Sequence, residues 1–123
     1  MYVTAAILSV LLALVSLAAG APKTLLKGDV PAQLQTHMEL SATLVRLIGA
    51  AELAAAGGLV AGIFWQPLGI AAALGFAAVM VGAVGFHARS GDYSDPKTRG
   101  GAIAPIALTA LAIVTAVTLT LSN

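Results

Sequence analysis

The chain has 123 residues, 59% hydrophobic and 9% charged, with a net charge of +1 and no cysteine. A soluble domain averages about 25% charged residues and a chain this small needs them to cover its surface, so a mean hydropathy of +0.99 makes lipid its solvent. The small net charge, with no basic stretch interleaved with aromatics, excludes a nucleic-acid surface; the missing cysteine excludes thiolate catalysis, iron–sulfur ligation and thiolate zinc sites.

Four apolar runs, at about 2–20, 41–64, 67–86 and 102–121, organise the sequence. Each is near the roughly 20 residues that a helix rising ~1.5 Å per residue needs to cross ~30 Å of hydrocarbon. Alternating strand patterns of the barrel type are absent. The expected fold is therefore all-α, an integral membrane four-helix up-and-down bundle formed as one domain by residues 1–123. The small residues Leu17-Ala18-Ala19-Gly20-Ala21 resemble a signal-peptide cleavage region. No positive charge precedes the run, it is long for a signal sequence, and Pro22 follows at once, so it is read as a retained span.

After the first span, Pro22, Gly28 and Pro31 argue against one continuous helix through 21–40. The stretch 32–39 suits a short interfacial helix. The second span carries Arg46 and Glu52, and the tight Trp65-Gln66-Pro67 turn leads to the third, in which Ala78, Gly82, Ala83 and Gly85 form a small-residue packing face before His87. The following segment, "ARSGDYSDPKTRGG", has Gly91, Pro96 and Gly100-Gly101 as turn signals. Its Asp92, Tyr93, Asp95, Lys97 and Arg99 read as a solvated connector. In the fourth span Pro105 is expected in the first turn, and Thr109, Thr115, Thr118 and Thr120 are expected to bond back to their own helix.

Lys23 and Lys27 precede the second span, and Arg89, Lys97 and Arg99 lie between the third and fourth. The positive-inside rule then makes this a multi-pass cell-membrane protein with 21–40 and 87–101 cytoplasmic and both termini outside.

A helix entering the membrane at Ser41 brings Glu52 roughly 16 Å in, near the midplane. Arg46 is shallower and long enough to snorkel, whereas a glutamate is not, so Glu52 must face the bundle interior, protonated, paired or hydrogen-bonded. Arg46 and Glu52 are six residues apart and do not share a face; Arg46 aligns with Glu39, and Glu52 with Gly49 and Ala56. His37, Glu39, Arg46 and His87 are expected in one layer, with Glu52 as the floor of a cleft opening to the cytoplasm. His37 and His87 with a carboxylate are metal-compatible residue types, but no H-x-x-x-H or E-x-x-H spacing is present, and no metal site is assigned.

The stretch "HMELSATLVRLIGAAELAAAGGLVAGIFWQPLGIAAALGFAAVMVGAVGFHARSGD", residues 37–92, resembles the DoxX-like small membrane proteins. The resemblance lies in arginine-leucine-isoleucine-glycine, then alanine-glutamate and a double glycine, a proline-leucine-glycine start to the next helix, and a histidine followed closely by a basic residue. It implies a four-helix integral membrane protein. Archaeal relatives serve as the membrane subunit of a thiosulfate:quinone oxidoreductase, while many bacterial relatives have no assigned activity. The matching positions are Arg46, Gly49, Glu52 and His87, and this chain offers no thiol for sulfur chemistry.

The resulting expectation is a bundle that holds a lipophilic small molecule, with a quinone as the candidate, in a cleft formed by Glu52, Arg46, His37, Glu39 and His87. A redox role would require a bound cofactor or a partner protein, since none of these side chains carries electrons. Two alternatives stand beside it. One is a cofactor-independent isomerase or epoxide-opening enzyme with Glu52 and His87 as acid and base; the other is an accessory subunit packing on another membrane protein through its small-residue faces.

Overall fold

A computed structural model describes residues 1–122. It contains α1 (Tyr2–Leu25), α2 (Asp29–Thr36), α3 (Ala42–Ala61), α4 (Gln66–Arg89) and α5 (Arg99–Thr120), with no strand among the described residues. All but α2 are long and apolar enough to cross a membrane. The protein is an all-α membrane bundle whose consecutive spans run up and down.

Local chemistry sets the helix ends. α1 continues one turn past the expected stop at Gly20, through Pro22, and closes at Leu26 in the left-handed conformation (φ 52°), where the Lys27 amide donates to the Pro22 carbonyl at 3.0 Å. A proline removes one hydrogen bond to the preceding turn, but here Thr24 Oγ1 donates to Gly20 O at 2.9 Å and ties that turn together. Gly28 (φ 92°) then reverses the chain into α2, which starts three residues earlier than its expected 32–39. Ser41 caps α3, its side chain accepting from the Leu44 amide at 3.1 Å. α5 begins at Arg99, so Pro105 lies in its second turn and not its first. The threonines of α5 do bond back, Thr109 to Pro105, Thr115 to Leu111, Thr118 to Val114 and Thr120 to Ala116, at 2.7–2.8 Å.

α1 packs chiefly on α3, α4 on α5 and α3, and α1 also meets α5. The core holds Leu12, Leu59, Phe76 and Met80 with a set of alanines. Two glycine crossings bring backbones together. A Cβ on Gly49 would stand 2.6 Å from the Thr24 nitrogen, and one on Gly62 would stand 2.2 Å from Gly69 Cα. Such contact is how membrane helices gain packing when lipid supplies no hydrophobic drive between them. The expected face at Gly82 and Gly85 is not used in this way, because a Cβ at either would meet nothing within 4 Å. Val10, Leu14, Leu47, Val81, Ile113 and Val117 face outward, as a bilayer environment requires.

A second cluster closes the end of the bundle where α1 and α4 finish. Met38, Leu40 and Val45 are buried against Leu26, Leu34, Leu44, Ile48 and Phe86, so α2 and the chain after it form a cover over that end. Arg89 fastens this cover by donating to the Met38 carbonyl at 2.8 Å.

Candidate functional site

Between this cover and the core lies a cavity of about 510 Å³. Its walls are mostly apolar, with Leu44, Ile48, Val79, Met80 and Leu108 among them; Lys23, Glu52 and His87 supply charge or polarity. A volume in the range of ~300–1,000 Å³, lined by apolar side chains with a few polar groups, is the usual form of a small-molecule site.

Glu52 lies on the buried face of α3 with Gly49 and Ala56, as its spacing predicts. Its partner is Lys23, whose Nζ donates to Oε1 at 2.7 Å. Lys23 is not a charge of the connection between the spans, as its place after Pro22 suggests: α1 extends through it, and its long side chain turns back into the bundle. The carboxylate is fully buried and the lysine side chain retains 12% of its surface. Oε2 of Glu52 is buried with no hydrogen-bond partner among the described residues. The pair is possible because Gly20 and Gly49 let α1 and α3 touch; a Cβ on Gly20 would fall 2.9 Å from Glu52 Cβ.

Asp92 departs from the solvated connector that its neighbours in sequence suggest. Far from being solvated, it is 1% exposed and receives hydrogen bonds from both histidines, His37 Nε2 to Oδ1 and His87 Nδ1 to Oδ2, each at 2.5 Å. An ionised carboxylate only accepts, so both ring nitrogens are N–H donors in this arrangement. Burial pushes the Asp92 carboxyl up, but the hydrogen bonds from His37 and His87 and the attraction of the two rings outweigh it, leaving it below the usual carboxylate range. The Asp92 carbonyl also accepts from Thr98 Oγ1 at 2.9 Å, and the Tyr93 ring meets His87 edge-on at 6.4 Å between centroids. This clasp joins the α4–α5 connection to the cover of the cavity.

The structure therefore divides the expected layer. His87 lines the cavity, while His37 reaches Asp92 without lining it. Glu39 is exposed in a left-handed turn (φ 59°) that redirects the chain into α3. Arg46 is exposed on the outside of the bundle, forms no ion pair with Glu39 and does not border the cavity. Among the described residues no group of three or more histidine, aspartate or glutamate side chains is arranged to hold a metal ion.

No curated protein and no solved structure has significant similarity to the chain. The sequence profile of the DoxX-like family matches residues 7–115, which takes in all five helices except the first five residues of α1 and the last five of α5. With the match covering most of the chain and the membrane bundle in place, the protein belongs to the DoxX-like family.

Proposed function

We propose that the protein binds a lipophilic small molecule in the cavity between the core and the α2 cover. The observation that carries this reading is the buried ion pair Lys23–Glu52, set at the edge of a mostly apolar cavity. Buried charge inside a membrane is costly, and ion-pair geometry alone does not call for an adjoining chamber. Lys23 and Glu52 form one polar point and His87 another, in walls that are otherwise mostly aliphatic, so a ligand with a polar head and a long apolar body is matched. A quinone has this character, and its carbonyls suit N–H donors. Electrons would still have to come from a partner or a further cofactor.

Five of the six lysines and arginines lie at or near the end of the bundle where the cavity is found, the sixth, Arg46, is near the start of α3 on the same side, and none lies at the other end. The positive-inside rule supports placing the cavity at the cytoplasmic leaflet, with both termini outside.

A second reading draws on one further feature. Asp92 holds His87 Nδ1, as a carboxylate orients a catalytic imidazole, and the His87 ring borders the same cavity as Glu52. This favours acid–base chemistry on a hydrophobic substrate over a purely accessory role.

Photolabelling with a long-chain alkyl diazirine in native membranes tests the binding reading. Labelling of Leu44, Ile48, Val79 and Ala83 should saturate, while labelling of outward-facing Val81 and Ile113 should rise in proportion to the probe. Filling the cavity with Ala83→Trp should remove the saturable part; saturable labelling that survives this change would place the ligand elsewhere.

A further inference from the structure

We infer that Lys23 is the group that meets the ligand, and that the ligand's head is a neutral hydrogen-bond acceptor, of which a carbonyl is the simplest. This rests on the cavity reading above and adds the chemistry of recognition. Both members of the ion pair border the cavity, but Glu52 is completely enclosed, whereas the Lys23 side chain keeps 12% of its surface. An ammonium has three N–H donors. One serves Glu52 Oε1 at 2.7 Å, and Nζ has no second acceptor among the described residues. Two donors are therefore left beside walls built from Leu44, Ile48, Val79, Met80 and Leu108.

Charge decides the class of head. The carboxylate and the ammonium cancel, so a neutral acceptor can join the lysine without leaving a net charge in hydrocarbon. A carboxylate or amine head would bring one, because Lys23 and Glu52 already neutralise each other and the third titratable side chain lining the cavity, His87, is already held by Asp92. Glu52 then acts as a positioning residue, holding Nζ at the edge of the cavity and keeping the lysine from snorkelling out to the headgroups.

Decanophenone and decylbenzene separate this from mere greasiness, since a carbonyl replaces one methylene and neither probe is redox-active under the conditions of a binding assay. Binding is measured on the purified full chain in lipid nanodiscs, with empty nanodiscs as the partition blank. The wild type should hold decanophenone about tenfold more tightly than decylbenzene, as expected for a hydrogen bond to a charged donor. In Lys23→Met the ratio should fall to near one. Should that variant fail to fold, Lys23→Met/Glu52→Gln removes both charges and carries the same comparison, and the wild-type ratio needs no variant. A wild-type ratio near one, or a ratio that survives loss of Lys23, overturns the role of Lys23 while leaving the cavity reading in place. No saturable binding of either probe overturns both.

Discussion

Lys23 Nζ lies 2.7 Å from Glu52 Oε1, so the last turn of α1 is joined to the middle of α3 by a largely buried ion pair. Each charge is tolerable only because the other is there.

Removing one member should therefore cost more than removing both. Lys23→Met leaves an uncompensated buried carboxylate and should destabilise the bundle by about 3–5 kcal/mol, whereas Lys23→Met/Glu52→Met should recover most of the loss. Thermal unfolding in detergent reads the difference. Equal melting temperatures for the single and double variants would show that the pair is not a closed unit.

The glycines divide into two groups with opposite expectations. Gly49→Ala forces a Cβ to within 2.6 Å of the Thr24 backbone nitrogen and side-chain oxygen and should cost about 1–3 kcal/mol by overpacking. Gly85→Ala meets nothing within 4 Å and should be neutral or stabilising by up to about 1 kcal/mol, because alanine is the better helix former. The same unfolding assay decides, and the helix crossing at Gly49 is wrong if the two changes behave alike.

Acid should loosen the clasp. The Asp92 carboxyl sits below its ordinary range when folded, so its contribution is fully present above an unfolded value of about 3.9 and is lost as pH falls through the folded one. Protection of residues 29–40 against hydrogen exchange, taken relative to the intrinsic rate at each pH, should be high at neutral pH and fall below about pH 4. Asp92→Asn should start with lower protection and lose that acid-dependent step. An acid step of the same size in the variant would assign it to another group.

The lack of native cysteine makes topology easy to read. A membrane-impermeant maleimide should label Phe64→Cys in intact cells and Ser94→Cys only after permeabilisation. The reverse pattern would invert the bundle in the membrane.

Much of this molecule was legible before folding. The four spans follow from length and hydropathy alone, and Glu52 stood out because a short acidic side chain cannot reach the interface from mid-helix. Its partner did not. Pro22 looked like the end of a helix, which left Lys23 among the loop charges, and nothing local shows that Thr24 and the Gly20–Gly49 crossing carry α1 past it. Asp92 was hidden for a different reason: it sits in the most polar stretch of the chain, and one of its two histidines is 55 residues away. Arg46 misled because its heptad alignment with Glu39 assumes a continuous helix, whereas the chain turns at Glu39 with φ 59°.

The most direct test of a ligand-holding cavity is native mass spectrometry of the wild-type protein released gently from its own membrane, beside Ala83→Trp. A stoichiometric added mass of lipophilic character on the wild type, missing from the filled variant, is the predicted result. A bare wild-type chain, or the same added mass on both, would contradict it.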